Sequence, residues 1–130
     1  MIIDLPMPPS VNQIWSSGRG RIFRSKRYKT WLRECDVLAL MHAWRKQKVS
    51  GRYCVLITLN NKKRRGDCDN RIKAVLDWLR RAELTDDDRH CDEVIARWGD
   101  APAGCRVLIL ESSNADRERT TAGRQDRGFE

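Results

Sequence analysis

The run Tyr53-Cys54-Val55-Leu56-Ile57-Thr58-Leu59 constrains the fold more than any other part of the chain. These β-favouring residues follow one another without strict polar alternation, just after a break at Ser50-Gly51. Such a run predicts a strand covered on both faces, which only a layered sheet structure provides. With 130 residues, the chain has material for one domain built around it.

The neighbouring segments supply the layers. Ile2-Ile3-Asp4-Leu5 reads as a short strand, stopped by Pro6, Pro8 and Pro9, which cannot donate to a ladder. Ser10 to Arg24 reads as a loop, with Gly18 and Gly20 among basic residues. Ser25 is a candidate N-cap for a helix running to about Gln47. Its apolar stripe is Tyr28, Trp31, Leu32, Cys35, Leu38, Ala39 and His42, with Trp44 slightly off it. A second amphipathic helix starts near Asn70, carries Ile72, Val75, Leu76 and Leu79, and ends near Ala82 or Glu83. Val94 to Trp98 and Cys105 to Leu110 read as strands joined by a turn containing Pro102 and Gly104, a hairpin pattern. The order β-α-β-α-β-β predicts an α+β fold, a small mixed β-sheet with two helices, over residues 1–111. From Ser112 onward there is no Val, Ile, Leu or Met, so residues 112–130 are expected to form a charged flexible tail.

Charge is divided sharply along the chain. Residues 5–66 hold 15 Lys+Arg against two acids, whereas residues 67–111 hold seven against 11. A basic half followed by an acid-rich third suits a polyanion-binding surface around a small acidic site. Ordinary solvated helix faces and loops are the plainer alternative. No stretch approaches the ~20 apolar residues of a membrane-crossing helix, so no membrane is expected as a partner. The start Met1-Ile2-Ile3-Asp4 lacks the layout of a secretory signal. The five cysteines include no C-x-x-C pair, which fits reduced thiols in a cytoplasmic protein. Cys54 and Cys105 read as small core residues, and Cys68, His90 and Cys91 match no standard zinc spacing. Of the five tryptophans, burial rather than base stacking is the expectation for most.

The acidic constellation carries the chemistry. Asp67 and Asp69 stand one residue apart in what reads as an extended approach to a helix, where alternate side chains point the same way. Neighbouring carboxylates ionise together only around a cation, and oxygen ligands favour Mg²⁺, with Mn²⁺ the close substitute. The loop Asp86-Asp87-Asp88 offers a third carboxylate. Lys73, four residues after Asp69, is placed to meet a phosphate oxygen or developing negative charge. Such parts suit metal-assisted phosphodiester hydrolysis, with phosphate contacts from Lys62, Lys63, Arg64 and Arg65 just upstream. The plainer readings stand beside this one: Asp69 or Asn70 as a helix cap, Lys73 paired with Asp69 or Asp77, and three aspartates in a solvated turn.

Pro6-x-Pro8-Pro9-Ser10-x-Asn12, the Gly/Arg loop, Asp67-x-Asp69-Asn70-x-x-Lys73 and a downstream Asp pair resemble the RusA family of Holliday-junction endodeoxyribonucleases over about residues 2–111. The resemblance implies metal-binding carboxylates at Asp67, Asp69 and Asp88, with Asp87 the register alternative, and an essential lysine at Lys73. It implies a homodimer that uses Mg²⁺ to nick two opposed strands of a four-way DNA junction, in recombination and repair. Asn12, Arg19 and Arg21 fall in the DNA-contacting opening, and Gly66 stands where the family commonly has Arg. A non-catalytic module that binds branched DNA with the same fold is the alternative, and a small nuclease acting on structured RNA a more distant one.

Overall fold

The strands and helices follow from where the apolar residues recur. In the computed structural model, residues 1–112 are described. They form β1 (Ile2–Leu5), the one-turn helix α1 (Val11–Ile14), β2 (Trp15–Gly18), β3 (Arg21–Arg24), α2 (Lys26–Met41), β4 (Tyr53–Asn60), α3 (Ile72–Arg81), β5 (Cys91–Gly99) and β6 (Cys105–Glu111). Short 3₁₀ turns cover Trp44–Gln47, Asn61–Lys63, Cys68–Arg71 and Asp88–His90. The architecture is mixed α+β, as expected. The anticipated tail at 112–130 lies outside the described residues apart from Ser112, whose amide donates to the Arg52 carbonyl.

The main sheet has the order β1-β6-β4-β5, and β2 pairs only with β3. β4 and β5 are parallel, whereas β6 is antiparallel to both β1 and β4. The expected hairpin between the last two strands is therefore corrected: β5 and β6 flank β4 on opposite sides. The connection through Pro102 and Gly104 crosses the end of β4, where the Asn60 amide donates to the Gly104 carbonyl at 2.9 Å. Local turn signals report a reversal of the chain, but they do not say whether the next strand pairs with the last one.

One face of the sheet holds the core. Ile3, Leu5, Tyr53, Val55, Ile57, Leu59, Cys105, Val107 and Ile109 are all buried and join the helices in a single cluster. From α2 come Tyr28, Trp31, Leu32, Cys35 and Ala39, and from α3 come Ala74, Val75, Trp78 and Leu79. Trp78 has no exposed surface and meets Trp31 and Trp44 edge-on, with ring centroids 6.4 and 6.3 Å away. The other face is open, contrary to the expectation of double cover. Ile2, Leu108, Leu56 and Ile95 form a row across it, with Ile2 62 % and Ile95 47 % exposed. Cys54 lies on this side and is half-buried, so it is not the core thiol the sequence suggested.

Two further differences have local causes. The α2 helix begins at Ser25, whose hydroxyl accepts from the Tyr28 amide at 3.1 Å, as expected. It ends early because Ala43 takes a left-handed backbone conformation, and the chain re-enters as a 3₁₀ turn that swings Trp44 into the core. His42 accordingly lies exposed. The presumed loop 10–24 is instead a helical turn and a hairpin. Ser10 and Gln13 form a capping box, and Arg19 and Gly20 both adopt positive φ in the two-residue turn between β2 and β3. No helix among the described residues is long and apolar enough to cross a membrane.

Gly104 is the tightest point of this arrangement. Its φ is +129°, and a Cβ there would collide with the Met7 backbone nitrogen. Gly104→Ala should therefore lower stability by at least ~2 kcal/mol. Denaturant titration checks this, through a reduced midpoint at unchanged slope.

Candidate active site

The end of β4 delivers the basic run to the acidic one. After Asn60 the chain turns through Asn61–Lys63, with the Asn60 side chain accepting from the Lys62 amide. Lys62, Arg64 and Arg65 are exposed, and Arg64 stacks over the Trp98 ring at 5.5 Å. The Lys63 side chain falls outside those described. Gly66 then takes φ +67° with nothing within 4 Å of a notional Cβ, so glycine serves here for its backbone, not for space. That reversal sets Asp67 at the mouth of the Cys68–Arg71 turn.

Asp67 itself is extended, but Asp69 sits inside the 3₁₀ turn, so the expected alternation along one extended segment does not hold. The helix-cap reading of Asp69 or Asn70 is not met either, because Arg71 holds the cap position of α3 and the position opening the turn belongs to Asp67. Its carbonyl accepts from the Asn70 amide at 3.2 Å, while its carboxylate caps nothing. Among the described residues neither the Asp67 nor the Asp69 carboxylate accepts a hydrogen bond or pairs with a cation, and both are exposed. Two uncommitted sets of hard oxygen donors in one short turn fit a Mg²⁺-class ion. Lys73 points elsewhere along α3: its Nζ lies 3.3 Å from Asp77 Oδ2.

The Asp86–Asp88 run is engaged on its own account. Asp86 accepts from the Gly51 amide at 2.9 Å and pairs with Lys48 at 2.8 Å, and these contacts hold its carboxyl below the usual range. Asp87 accepts from the Arg89 amide, which together with the Asp88 side chain likewise depresses it. Asp88 faces Arg80 at 3.9 Å, near the last turn of α3. Tyr53, at the first residue of β4, donates to the Asp87 carbonyl. Asp67 and Asp69 thus share one short turn, and the 86–88 run has other partners. Among the described residues no three His, Cys, Asp or Glu side chains gather closely enough to hold a metal ion.

A residue that sequence reasoning passed over joins the site to its surroundings. Arg71, 6 % exposed, ends the turn that carries Asp69. It donates through Nη1 to the Pro8 carbonyl at 2.5 Å and through Nη2 to the Arg65 carbonyl at 3.5 Å. Its Nε is buried without a partner, and no carboxylate pairs with it among the described residues. Burial, and after it the like charge of Arg27, push this guanidinium below its ordinary pKa. The signal was present: Arg71, Val75 and Leu79 fall at i, i+4 and i+8, on the buried stripe of α3. The proline-rich segment is pinned a second time by Trp31, whose Nε1 donates to the Pro6 carbonyl at 2.9 Å.

The remaining sequence-chosen residues lie around this centre. Asn12 is exposed on α1, which packs against the Cys68–Arg71 turn and α3. Arg19 and Arg21 sit at the tip of the β2–β3 hairpin. That hairpin also exposes Ile22 (78 %), Phe23 (46 %) and Trp15 (51 %), an apolar surface among arginines that the loop reading missed.

Arg71→Met should loosen both segments that the guanidinium grips. Losing one charge-assisted hydrogen bond, worth ~1.5 kcal/mol, corresponds to about tenfold faster amide exchange. Hydrogen exchange checks this at residues 62–68 and 10–14 together, with the β4 amides unmoved.

A family model described as Endodeoxyribonuclease RusA matches residues 6–109. No curated protein matches the chain. The matched span takes in the proline-rich segment, the hairpin, the basic loop, the Asp67–Lys73 turn and helix, β4, β5 and most of β6. With its model covering most of the sequence, the chain belongs to the RusA endodeoxyribonuclease family.

Proposed function

We propose that this protein is a Mg²⁺-dependent, structure-selective endodeoxyribonuclease of the cytoplasm that resolves four-way DNA junctions as a homodimer, Mn²⁺ serving in place of Mg²⁺. One observation carries the reading: the Asp67 and Asp69 carboxylates stand exposed and uncommitted directly below an arginine- and lysine-rich loop, in a chain of an endodeoxyribonuclease family. Asp67 and Asp69 would hold the ion, and Asp88, with Asp87 the neighbour in register, would complete the set only by leaving Arg80 at the last turn of α3. When bound, the ion supplies an activated water and neutralises charge on the phosphoryl oxygens.

The chain's own residues do the rest. Lys62, Lys63, Arg64 and Arg65 attract the backbone and hold the scissile strand over the Asp67 turn. Lys73 has only an exposed pair with Asp77, worth ~0.3–0.5 kcal/mol, so an arriving phosphate oxygen competes for its ammonium easily. The Arg80–Asp88 contact at 3.9 Å is similarly weak, and a phosphate that draws Arg80 away leaves the Asp88 carboxylate available. Asn12 on α1, and Arg19 and Arg21 on the hairpin, extend the DNA surface beyond the cut.

The open sheet face supports pairing of two copies. The row Ile2–Leu108–Leu56–Ile95 is apolar, and the next row sets Asp4 against Arg106. A two-fold axis through this face would bury both apolar rows, and a two-fold enzyme matches two symmetric cuts. Ile95→Asp should shift the mass from dimer to monomer in analytical ultracentrifugation, since it places a charge on the row without disturbing the core.

A second reading draws on the partners of Asp86, Asp87 and Asp88: a module of the same fold that binds branched DNA without cutting it. A labelled four-way junction separates the two. Wild type with Mg²⁺ should give paired nicks that EDTA abolishes, and Asp69→Asn should lose at least 100-fold in rate (an order-of-magnitude expectation for a lost metal ligand) while keeping or tightening junction binding. Binding without nicks in either condition would establish the non-catalytic reading.

A further inference from the structure

The helical side of the molecule carries a basic cleft that none of the residues assigned above lines. A cavity of about 250 Å³ between α2 and α3 is bordered by Arg24, Lys29, Leu32, Arg33, Asp36 and Arg81. Four cations thus surround a single carboxylate. That carboxylate is already spent: Asp36 accepts from Trp78 Nε1 at 2.9 Å and from Arg81 Nη2 at 3.2 Å. Lys29 and Arg33 are exposed and take part in no ion pair among the described residues. Arg24 leans over the Tyr28 ring at 5.8 Å. Like charges held this close repel one another, and among the described residues only Arg81 has a counter-charge, Asp36.

The cleft lies at the last turn of α3, the helix whose first turn follows Asp67 and Asp69. On the same helix Asp77 lies one turn before Arg81. Asp77 in turn holds Lys73, one helical turn after Asp69. From Lys73 to Arg81 is two turns of α3, about 12 Å along its axis. Lys29 and Arg33 are spaced by one turn of α2, about 6 Å along theirs. Lys73 and Arg81 thus lie along α3 and Lys29 and Arg33 along α2, with Arg24 at the base of the hairpin.

We infer that this cleft is a track for the sugar–phosphate backbone of a duplex arm, lying beyond the strand held at Asp67 and Asp69. It deepens the proposed function, on which it rests for DNA as the polyanion. Phosphate oxygens supply the missing counter-charge, and Leu32 gives the cleft an apolar floor. Readout here is of backbone only, so affinity gained through the track is independent of base sequence and steeply dependent on salt.

Fluorescence anisotropy in EDTA, with a labelled four-way junction and a linear duplex of equal arm length, tests the track without any contribution from cleavage. Lys29→Glu/Arg33→Glu should weaken binding to both DNAs about tenfold or more at about 0.1 M salt, and make the slope of log K against log salt shallower by about two. Lys29→Gln/Arg33→Gln should give a smaller loss in the same direction. Arg45→Glu/Lys46→Glu, which changes net charge equally in the Trp44–Gln47 turn after α2, is the control. Affinity loss in the first pair no greater than in the control, or an unchanged salt slope, would overturn the track. Junction cleavage by wild type with Mg²⁺, scored separately, decides the nuclease reading, so the two fail independently.

Discussion

The parallel pairing of β4 with β5 is the constraint on which the rest of the molecule depends. Two parallel neighbours cannot be joined by a tight turn, so the chain must leave β4 at one end of the sheet and return at the other. The outgoing arm of that crossover is the basic loop and the Asp67–Asp69 turn. The crossing itself is α3, which seals the core with Trp78. The returning arm is the Asp86–Asp88 run, which passes the first residue of β4 at Tyr53. One topological demand therefore sets the two acidic runs at opposite ends of the crossover.

Arg71 shows how the crossover is fastened to the remainder. A guanidinium buried without a carboxylate is unfavourable unless its protons are well used, and here they reach two carbonyls from segments far apart in sequence. Pro8 belongs to the exit from β1, and Arg65 to the exit from β4. With Trp31 holding Pro6 as well, the proline-rich opening and the basic loop are tied to the same turn that presents the aspartates. The opening motif and the acidic motif, some sixty residues apart in the chain, are thus parts of one structural joint.

Much of this was legible in the residues, and what was not has identifiable causes. β1, β4 and the start of α2 followed from apolar runs, prolines and the Ser25 cap, because each of these signals is local. The β2–β3 hairpin was missed because its strands are short, exposed and rich in Arg and Ser, so no apolar alternation marks them. The early end of α2 lay in a positive φ at Ala43, a residue that gives no warning of it. The order of β5 and β6 was misread because pairing is set by the whole sheet and not by the turn between them. At the site, the Lys73–Asp77 pair was legible from its i,i+4 spacing, whereas the Arg80–Asp88 pair joins α3 to a loop that spacing does not place.

The burial of two thiols has a practical consequence. Cys35 lies against the sheet with its pKa pushed up by desolvation and then by Asp36, and desolvation raises that of Cys105 to about 12. Both stay protonated and shielded while the helices sit on the sheet, so neither offers a nucleophile to an alkylating reagent. Their modification would mark separation of the helical layer from the strands. The chain thereby contains its own chemical clock for the opening of its core.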